Sequence, residues 1–263
     1  MSGGFPTGWD VCAGTDYGAQ TASSVGTLLT ASASTNVKGA WTQLGAAASY
    51  DISLLHVNMQ GATSARTGLI DIGIGAGGSQ QVLFANMSFR PILTNGTCDF
   101  VLPADIPAGT AIWARIQSAT ASEASHSIKI NGYSGGFTHQ AGAGGGEAQG
   151  ISTATSIGTL VTASATANVK GSYAALTAST AHDYSGVVLC IDPLAAGTVN
   201  YLVDFAIGAS GSEMVIAPNM SVSVISSRLF LPIAIPAGTR VAARCQSSTL
   251  SDTLHASIIG LFR

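Results

Sequence analysis

The amino-acid sequence contains the same pattern twice. Gly-Thr-Leu-Leu-Thr-Ala-Ser-Ala at 26–33 returns as Gly-Thr-Leu-Val-Thr-Ala-Ser-Ala at 158–165, and Asn-Val-Lys-Gly at 36–39 returns at 168–171. The copies are 132 positions apart, from 26 to 158, far beyond the roughly 20 to 50 residues of solenoid repeats. Each copy is therefore expected to fold as a whole domain with its own hydrophobic core.

The repeat and the local composition predict four segments. Residues 1–22 precede the first copy and are predicted to form an extended N-terminal arm. Residues 23–133 and 151–263 are predicted to be the two domains, each large enough to bury a sufficient core unaided. Between them, 134–150 contains Gly-Ala-Gly-Gly-Gly and is predicted to be a flexible linker.

Short segments with an apolar period of two predict β-strands throughout both copies. In the first copy these segments are 27–31, 38–44, 51–58, 68–74, 80–84, 98–102, 110–117 and 126–131. Turn-forming residues separate them and no amphipathic helix pattern occurs, so the predicted fold is all-β: two tandem antiparallel β-sandwich domains of jelly-roll type. The continuous apolar runs at 187–191 and 229–233 predict strands that are covered on both faces.

The chain carries unusually few charges. Charged residues make up 9% of the sequence and the formal net charge is −3, against roughly 25% charged residues in an ordinary soluble protein. Lys and Arg form no cluster, which argues against a nucleic-acid or anionic-membrane partner. No secretory signal or membrane-spanning apolar run is recognisable, so synthesis in a cytoplasm is expected. A weakly charged surface suits a protein that packs against others.

Two charged pairs recur in otherwise apolar strands. Asp71 and Arg115 in the first copy correspond to Asp204 and Arg244 in the second. Because an unpaired charge inside a sandwich is costly, we interpret them as buried or half-buried structural pairs. A catalytic carboxylate would need a second acid or a histidine nearby, and neither recurs. The sequence predicts no catalytic residue, no cofactor and no metal site.

The four cysteines show no Cys-x-x-Cys spacing, so neither a zinc site nor a disulfide framework is expected. Cys190 and Cys245 fall in predicted strands, where cysteine acts as a small apolar residue. In the repeat register Cys190 matches Val57. Cys12 and Cys98 are predicted to be exposed and able to form an intermolecular disulfide, with free thiols as the alternative.

The sequence resembles the β-sandwich modules of tailed-bacteriophage structural proteins. The resemblance rests on Asp-Ile-Gly-Ile-Gly at 71–75, Asp-Phe-Ala-Ile-Gly at 204–208 and Ile-Pro-Ala-Gly-Thr-Arg-Val-Ala-Ala-Arg at 235–244. It covers both copies but not the arm. The resemblance implies a non-enzymatic virion protein, a head decoration or cement protein that sits as a trimer on the lattice of the major capsid protein. The first copy departs from the pattern at Ala111, where the second has Arg240.

Two other functions remain open at this point. A tail, collar or fibre module that binds a host-surface glycan could use the same sandwich, with exposed aromatic side chains at loop tips. A depolymerase would need paired carboxylates at glycosidase spacing, and the acids show no such cluster. For the structural role, the apolar residues of the arm are predicted to bury against a neighbouring chain. The arm residues of this predicted interface are Phe5, Trp9, Val11, Cys12 and Tyr17.

Overall fold

The computed structural model describes residues 14–18, 20–21, 24–61, 67–90, 97–124, 126–134, 144–151, 153–193, 199–223 and 226–262. Within these ranges the regular elements are β-strands, which confirms the predicted all-β class. No helix in the described residues is long and apolar enough to cross a membrane.

The described residues contain twenty strands. The first half contains β1 (Gly14–Tyr17), β2 (Gln20–Thr21), β3 (Ser24–Val25), β4 (Thr27–Leu29), β5 (Thr42–Gln43), β6 (Ile52–Gly61), β7 (Gly68–Ile74), β8 (Gln81–Phe89), β9 (Thr97–Ile106), β10 (Ile112–Ser118) and β11 (His126–Tyr133). The second half contains β12 (Gly145–Gln149), β13 (Thr159–Thr162), β14 (Ala174–Thr177), β15 (Gly186–Pro193), β16 (Tyr201–Ile207), β17 (Met214–Val222), β18 (Ser227–Leu231), β19 (Val241–Ser247) and β20 (Thr253–Phe262).

The strands assemble into three main sheets. A five-stranded sheet has the order β1-β11-β6-β9, with β4 also on β11, and a four-stranded sheet has the order β14-β19-β16-β17. The largest sheet has nine strands in the order β18-β15-β20-β12-β8-β7-β10-β5, with β13 also on β20. The strand pairings are antiparallel except that of β12 with β8, where Gly146 lies opposite Phe84. The largest sheet is therefore shared by both halves of the chain.

The two halves have the same strand plan and the same register. Asp71 lies opposite Arg115 between β7 and β10, as Asp204 lies opposite Arg244 between β16 and β19. β1 pairs with β11 as β12 pairs with β20, because Thr15 faces Gly132 where Glu147 faces Gly260. The duplication therefore begins at β1, inside the segment predicted to be an arm.

The predicted arm is wrong for its last part. Gly14–Tyr17 forms β1 on the edge of the five-stranded sheet, and Tyr17 is buried in the core of its own chain. The Tyr17 ring fits there because Gly132 and Gly45 leave room beside it. Burial of a large aromatic ring in its own core stabilises the first half instead of an interface. The other predicted arm residues, which are Phe5, Trp9, Val11 and Cys12, lie outside the described residues.

The end of the predicted linker is also a strand. β12 pairs with β20 along Gly145–Gln149 and touches β8 on its other side. Glycine suits this place because a Cβ on Gly146 would lie 2.5 Å from the Phe84 ring. The glycines that indicated flexibility in the sequence instead allow close packing. Residues 135–143 of the predicted linker lie outside the described residues.

One hydrophobic core extends across both halves. It contains most buried apolar residues of the first half together with Ala148, Val188, Cys190, Ile259 and Leu261 of the second. Alternate residues of β15, such as Leu189, belong to the other core, which is confined to the second half. β15 is buried on both faces, as the apolar run at 187–191 predicts. The same prediction is wrong for β18, where Leu229 is 41% exposed because this strand lies at the sheet edge.

Replacing Gly146 by alanine should destabilise the protein by about 1 to 3 kcal/mol, the usual cost of overpacking a core. Gly14→Ala is the matched control, because Gly14 occupies the equivalent place in β1 and its Cβ would lie at an ordinary 3.4 Å from the Tyr133 ring. Chemical denaturation should give a lower unfolding free energy for Gly146→Ala than for Gly14→Ala. Equal values would contradict the close packing of β12 on β8.

Candidate functional site

The first repeated charge position is a cluster of three side chains. The Asp71 carboxylate, 3% exposed, accepts hydrogen bonds from Lys38 Nζ at 2.6 Å and from Arg115 Nε at 2.8 Å. The Asn86 backbone N–H also donates to Asp71 Oδ1, at 2.8 Å. Asn86 has a positive φ of 55° at an irregularity in the pairing of β7 with β8. The carboxylate therefore joins three segments of the first half around one buried negative charge.

The second half reproduces this cluster around Asp204. Lys170 Nζ donates to Asp204 Oδ1 at 2.8 Å, and Arg244 Nε donates to Oδ2 at 2.9 Å. The Asn219 backbone N–H donates to Oδ1 at 2.8 Å. The structure thus brings together each predicted Asp and Arg. Sequence reasoning missed the lysines, although the repeated Asn-Val-Lys-Gly segment contained the signal.

Each arginine of these clusters also stacks on an aromatic ring. The Arg115 guanidinium lies 4.4 Å from the centre of the Trp41 ring, and the Arg244 guanidinium lies 4.5 Å from that of Tyr173. Such cation–π contacts are attractive and hold the guanidinium plane in place. Each aromatic ring therefore covers one face of the guanidinium that it contacts.

Electrostatics favour the ionised carboxylate in the second cluster. Burial by itself raises the pKa of Asp204, but hydrogen bonds from Lys170, the Asn219 backbone and Arg244 outweigh it, so the pKa is lowered. In the first cluster, burial lowers the pKa of Lys38 more than the Asp71 charge raises it. Each of these carboxylates is buried and accepts three hydrogen bonds, two of them from cations, so it is poorly placed to exchange a proton with a substrate.

A third buried ion pair, between Arg228 and Asp192 of the second half, also contacts the first half. The Arg228 guanidinium donates to both oxygens of Asp192, at 2.9 and 3.1 Å, and to Ser88 Oγ at 3.1 Å. It also lies 5.2 Å from the centre of the Phe100 ring. Ser88 and Phe100 belong to the first half, whereas Arg228 and Asp192 belong to the second. This cluster has no counterpart elsewhere in the repeat, which is why the sequence did not reveal it.

The prediction that Cys98 is exposed is wrong. Cys98 is buried in the core that extends across both halves, because its side chain points inward from β9. Burial raises the pKa of Cys98 to about 11 and that of Cys190 to about 12. Thiols of this kind stay protonated and unreactive at neutral pH. Of the two predicted disulfide residues, Cys12 lies outside the described residues.

The difference between the copies at Ala111 and Arg240 has a local structural explanation. Arg240 donates a hydrogen bond from Nη1 to the Gly208 carbonyl at 3.3 Å and pairs with Glu213. In the first half, Trp113 Nε1 donates to the equivalent Gly75 carbonyl at 2.8 Å. Two different side chains therefore hold the same glycine turn, so the two hairpin tips present different surfaces.

An open groove of about 570 Å3 lies beside β13 in the second half. Its lining includes Leu160 and residues 170–174, among them Tyr173. The remaining lining residues are small: Thr162, Ala163, Ser164 and Ala165. No group of three or more His, Cys, Asp or Glu in the described residues is placed to hold a metal ion.

Comparison with known proteins adds only distant similarities. The sequence matches no known family profile and no curated protein. PNGF-II is similar to the structure with a TM-score of 0.38 and 9% identity, over 95% of this chain and 65% of that protein. A structure of Broad Bean Stain Virus has a TM-score of 0.38 and 8% identity, over 95% of this chain and 88% of the other. PNGase F, a glycosylasparaginase from Flavobacterium meningosepticum, also has a TM-score of 0.38, with 8% identity and 96% of each chain covered.

Replacing Asp204 by alanine should destabilise the protein by about 3 to 5 kcal/mol, because Lys170 and Arg244 would lose the buried charge that compensates them. Asp99→Ala is the control, since Asp99 pairs with His56 on the surface and should cost under about 1 kcal/mol. Thermal and chemical denaturation would measure both. Similar losses for the two variants would leave the Asp204 cluster without a structural role.

The same cluster predicts part of the response to acid. The folded-state pKa of Asp204 is below its ordinary value of 3.8, so the folded protein binds fewer protons at this site than the unfolded chain does. The stabilisation is complete above that value and is lost as the pH falls through the folded-state pKa. Asp204→Asn should flatten the decline of unfolding free energy in this acid range. An unchanged slope would contradict the lowered pKa.

Proposed function

We propose that the protein is a non-enzymatic virion structural protein built from two tandem jelly-roll-like β-sandwich domains. In this proposal it decorates and cements a bacteriophage head by bridging subunits of the major capsid protein. The resemblance of the repeated motifs suggests this function. The observation that carries it is the way the described charges are neutralised within the chain.

Most cationic side chains are already engaged. Of the eight Lys and Arg residues that the structure describes, seven form ion pairs within the chain. These seven are Lys38, Arg115, Lys129, Lys170, Arg228, Arg240 and Arg244. The surface that remains is rich in uncharged polar and small residues, which cost little to desolvate on contact with another protein. It offers little attraction to phosphate, so nucleic acid is a poor partner.

The glycan-binding and enzymatic alternatives have less support. Trp41 stacks on Arg115, and Trp113 donates its indole N–H to Gly75. Both rings therefore serve the fold instead of standing free at a loop tip as a sugar platform. Asp71 and Asp204 are each held by two cations, which leaves them poorly suited to act as a glycosidase pair.

We predict that the protein self-associates, with a trimer preferred. A surface of low charge provides little repulsion between copies. Light scattering coupled to size exclusion should give a mass of three times 26.3 kDa. A strict monomer at high micromolar concentration would contradict self-association in solution and would require the capsid surface as a template.

Removal of residues 1–13 should weaken attachment to phage heads and leave the fold intact. The truncation stops before β1, because Tyr17 belongs to the core. Phe5, Trp9 and Val11 would be lost, and each large apolar side chain contributes roughly 1.5 to 3 kcal/mol when fully buried at an interface. Cosedimentation with heads assembled from the major capsid protein of the same phage would measure attachment. If the truncated protein folds normally and binds as well as the intact chain, the arm has no bridging role.

A further inference from the structure

A histidine lies where the first half meets β12, β15, β18 and β20, a contact that we call the junction. His255 is on the same face of β20 as Ile259, which belongs to the shared core. Asp192 of β15 is directly opposite His255 in the strand register, and side chains of directly opposite residues are neighbours on one face of a sheet. His255 is therefore placed beside the buried carboxylate that Arg228 and Ser88 contact.

The negative charge of Asp192 is already compensated without His255. Both carboxylate oxygens accept hydrogen bonds from Arg228, at 2.9 and 3.1 Å. Arg90, which follows β8, donates a hydrogen bond to the Pro193 carbonyl at 3.2 Å and so brings a second cation to the junction. Two guanidinium groups therefore lie near one carboxylate before the imidazole gains a proton.

The surroundings of His255 oppose a proton on its ring. The ring atom Nδ1 is buried and has no hydrogen-bond partner among the described residues, and the residue opposite His255 on β13 is the apolar Leu160. Burial lowers the pKa of His255 below its ordinary value of 6.5. The Asp192 charge raises this pKa and the Arg90 charge lowers it, so the net direction is down. The junction therefore accommodates the neutral imidazole.

We propose that His255 is an acid-sensitive switch that loosens the junction between the two halves when its ring takes up a proton. Protonation leaves three cations near one buried carboxylate, two of them the guanidinium groups of Arg228 and Arg90. An open junction admits water to the ring, which relieves both the repulsion and the cost of burying the charge. The inference goes beyond the proposed function and does not depend on it.

The native cysteines can report whether the junction opens. Cys98 and Cys190, one from each half, are buried in the shared core, whereas Cys245 is buried in the core that is confined to the second half. A thiol reagent reaches a buried cysteine only when the structure around it opens. Opening of the junction should therefore expose Cys98 and Cys190 and leave Cys245 protected, whereas global unfolding should expose all three.

Labelling of the intact chain with a dithiodipyridine reagent between about pH 7.5 and about pH 5 tests the proposal. Mass spectrometry assigns each modified cysteine, and each rate is divided by that of the denatured chain at the same pH. Labelling of Cys98 and Cys190 should rise by up to about tenfold for each pH unit below 6.5. His255→Gln should remove this rise, because an amide takes up no proton in this range. His56→Gln is the matched control and should keep it, since His56 lies on the surface beside Asp99.

The three cysteines give different results for a switch and for its alternatives. Labelling of the intact chain that does not change with pH would overturn the proposal, as would a rise that persists in His255→Gln. A parallel rise at Cys245 would show that acid unfolds the whole chain, and a switch confined to the junction would then be wrong. If His255→Gln does not fold, hydrogen–deuterium exchange at the imidazole C2–H of His255 in the intact chain gives its pKa directly. A pKa at or above 6.5 would contradict the proposal.

Discussion

The packing of β12 between β8 and β20 determines how the two halves are arranged. This strand pairs with the last strand of the second half on one side and meets the first half on the other. Its glycines permit the approach, and the buried contact of Arg228 with Asp192 and Ser88 lies in the same interface. Because an unpaired charge in this place would be costly, the interface depends on all three groups being present together. The halves are therefore joined by a shared sheet and a shared core.

The outer surfaces of the two halves differ from the junction between them. β17 is equivalent to β8 and stands at the edge of its sheet, but it carries Pro218 where β8 has Ala85. Proline has no N–H for a neighbouring strand, and edge strands that carry it resist further pairing. In the first half, the outer face of β6 and β9 carries the polar contacts of His56 and Asn58 with Asp99. Neither of these surfaces reproduces the junction that β12 forms between the two halves.

Much of the fold could be predicted from the sequence, and the failures have physical causes. The period-two pattern predicted the strands. The recurrence of two charged positions predicted the pairing of Asp71 with Arg115 and of Asp204 with Arg244. At β15 the predicted alignment of the two copies was wrong by one residue. The strand pairings place Cys190 at the position equivalent to Asn58 and not at that of Val57. A shift of one residue exchanges the two faces of a strand, so Cys190 faces the first half instead of its own core. Composition could not separate a glycine linker from a glycine strand, because the difference lies in the Phe84 ring that packs on Gly146.

The repeated carboxylate clusters connect stability with the character of the surface. Each buries one aspartate between a lysine, an arginine and a backbone N–H, and each arginine is covered by an aromatic ring. A chain with so few charges thus uses many of them inside, where they fix the positions of neighbouring strands. The remaining surface produces only a weak long-range electrostatic field. Electrostatic steering would therefore add little to the rate at which the protein meets a partner. Recognition by such a surface must come from shape, apolar contact and neutral hydrogen bonds.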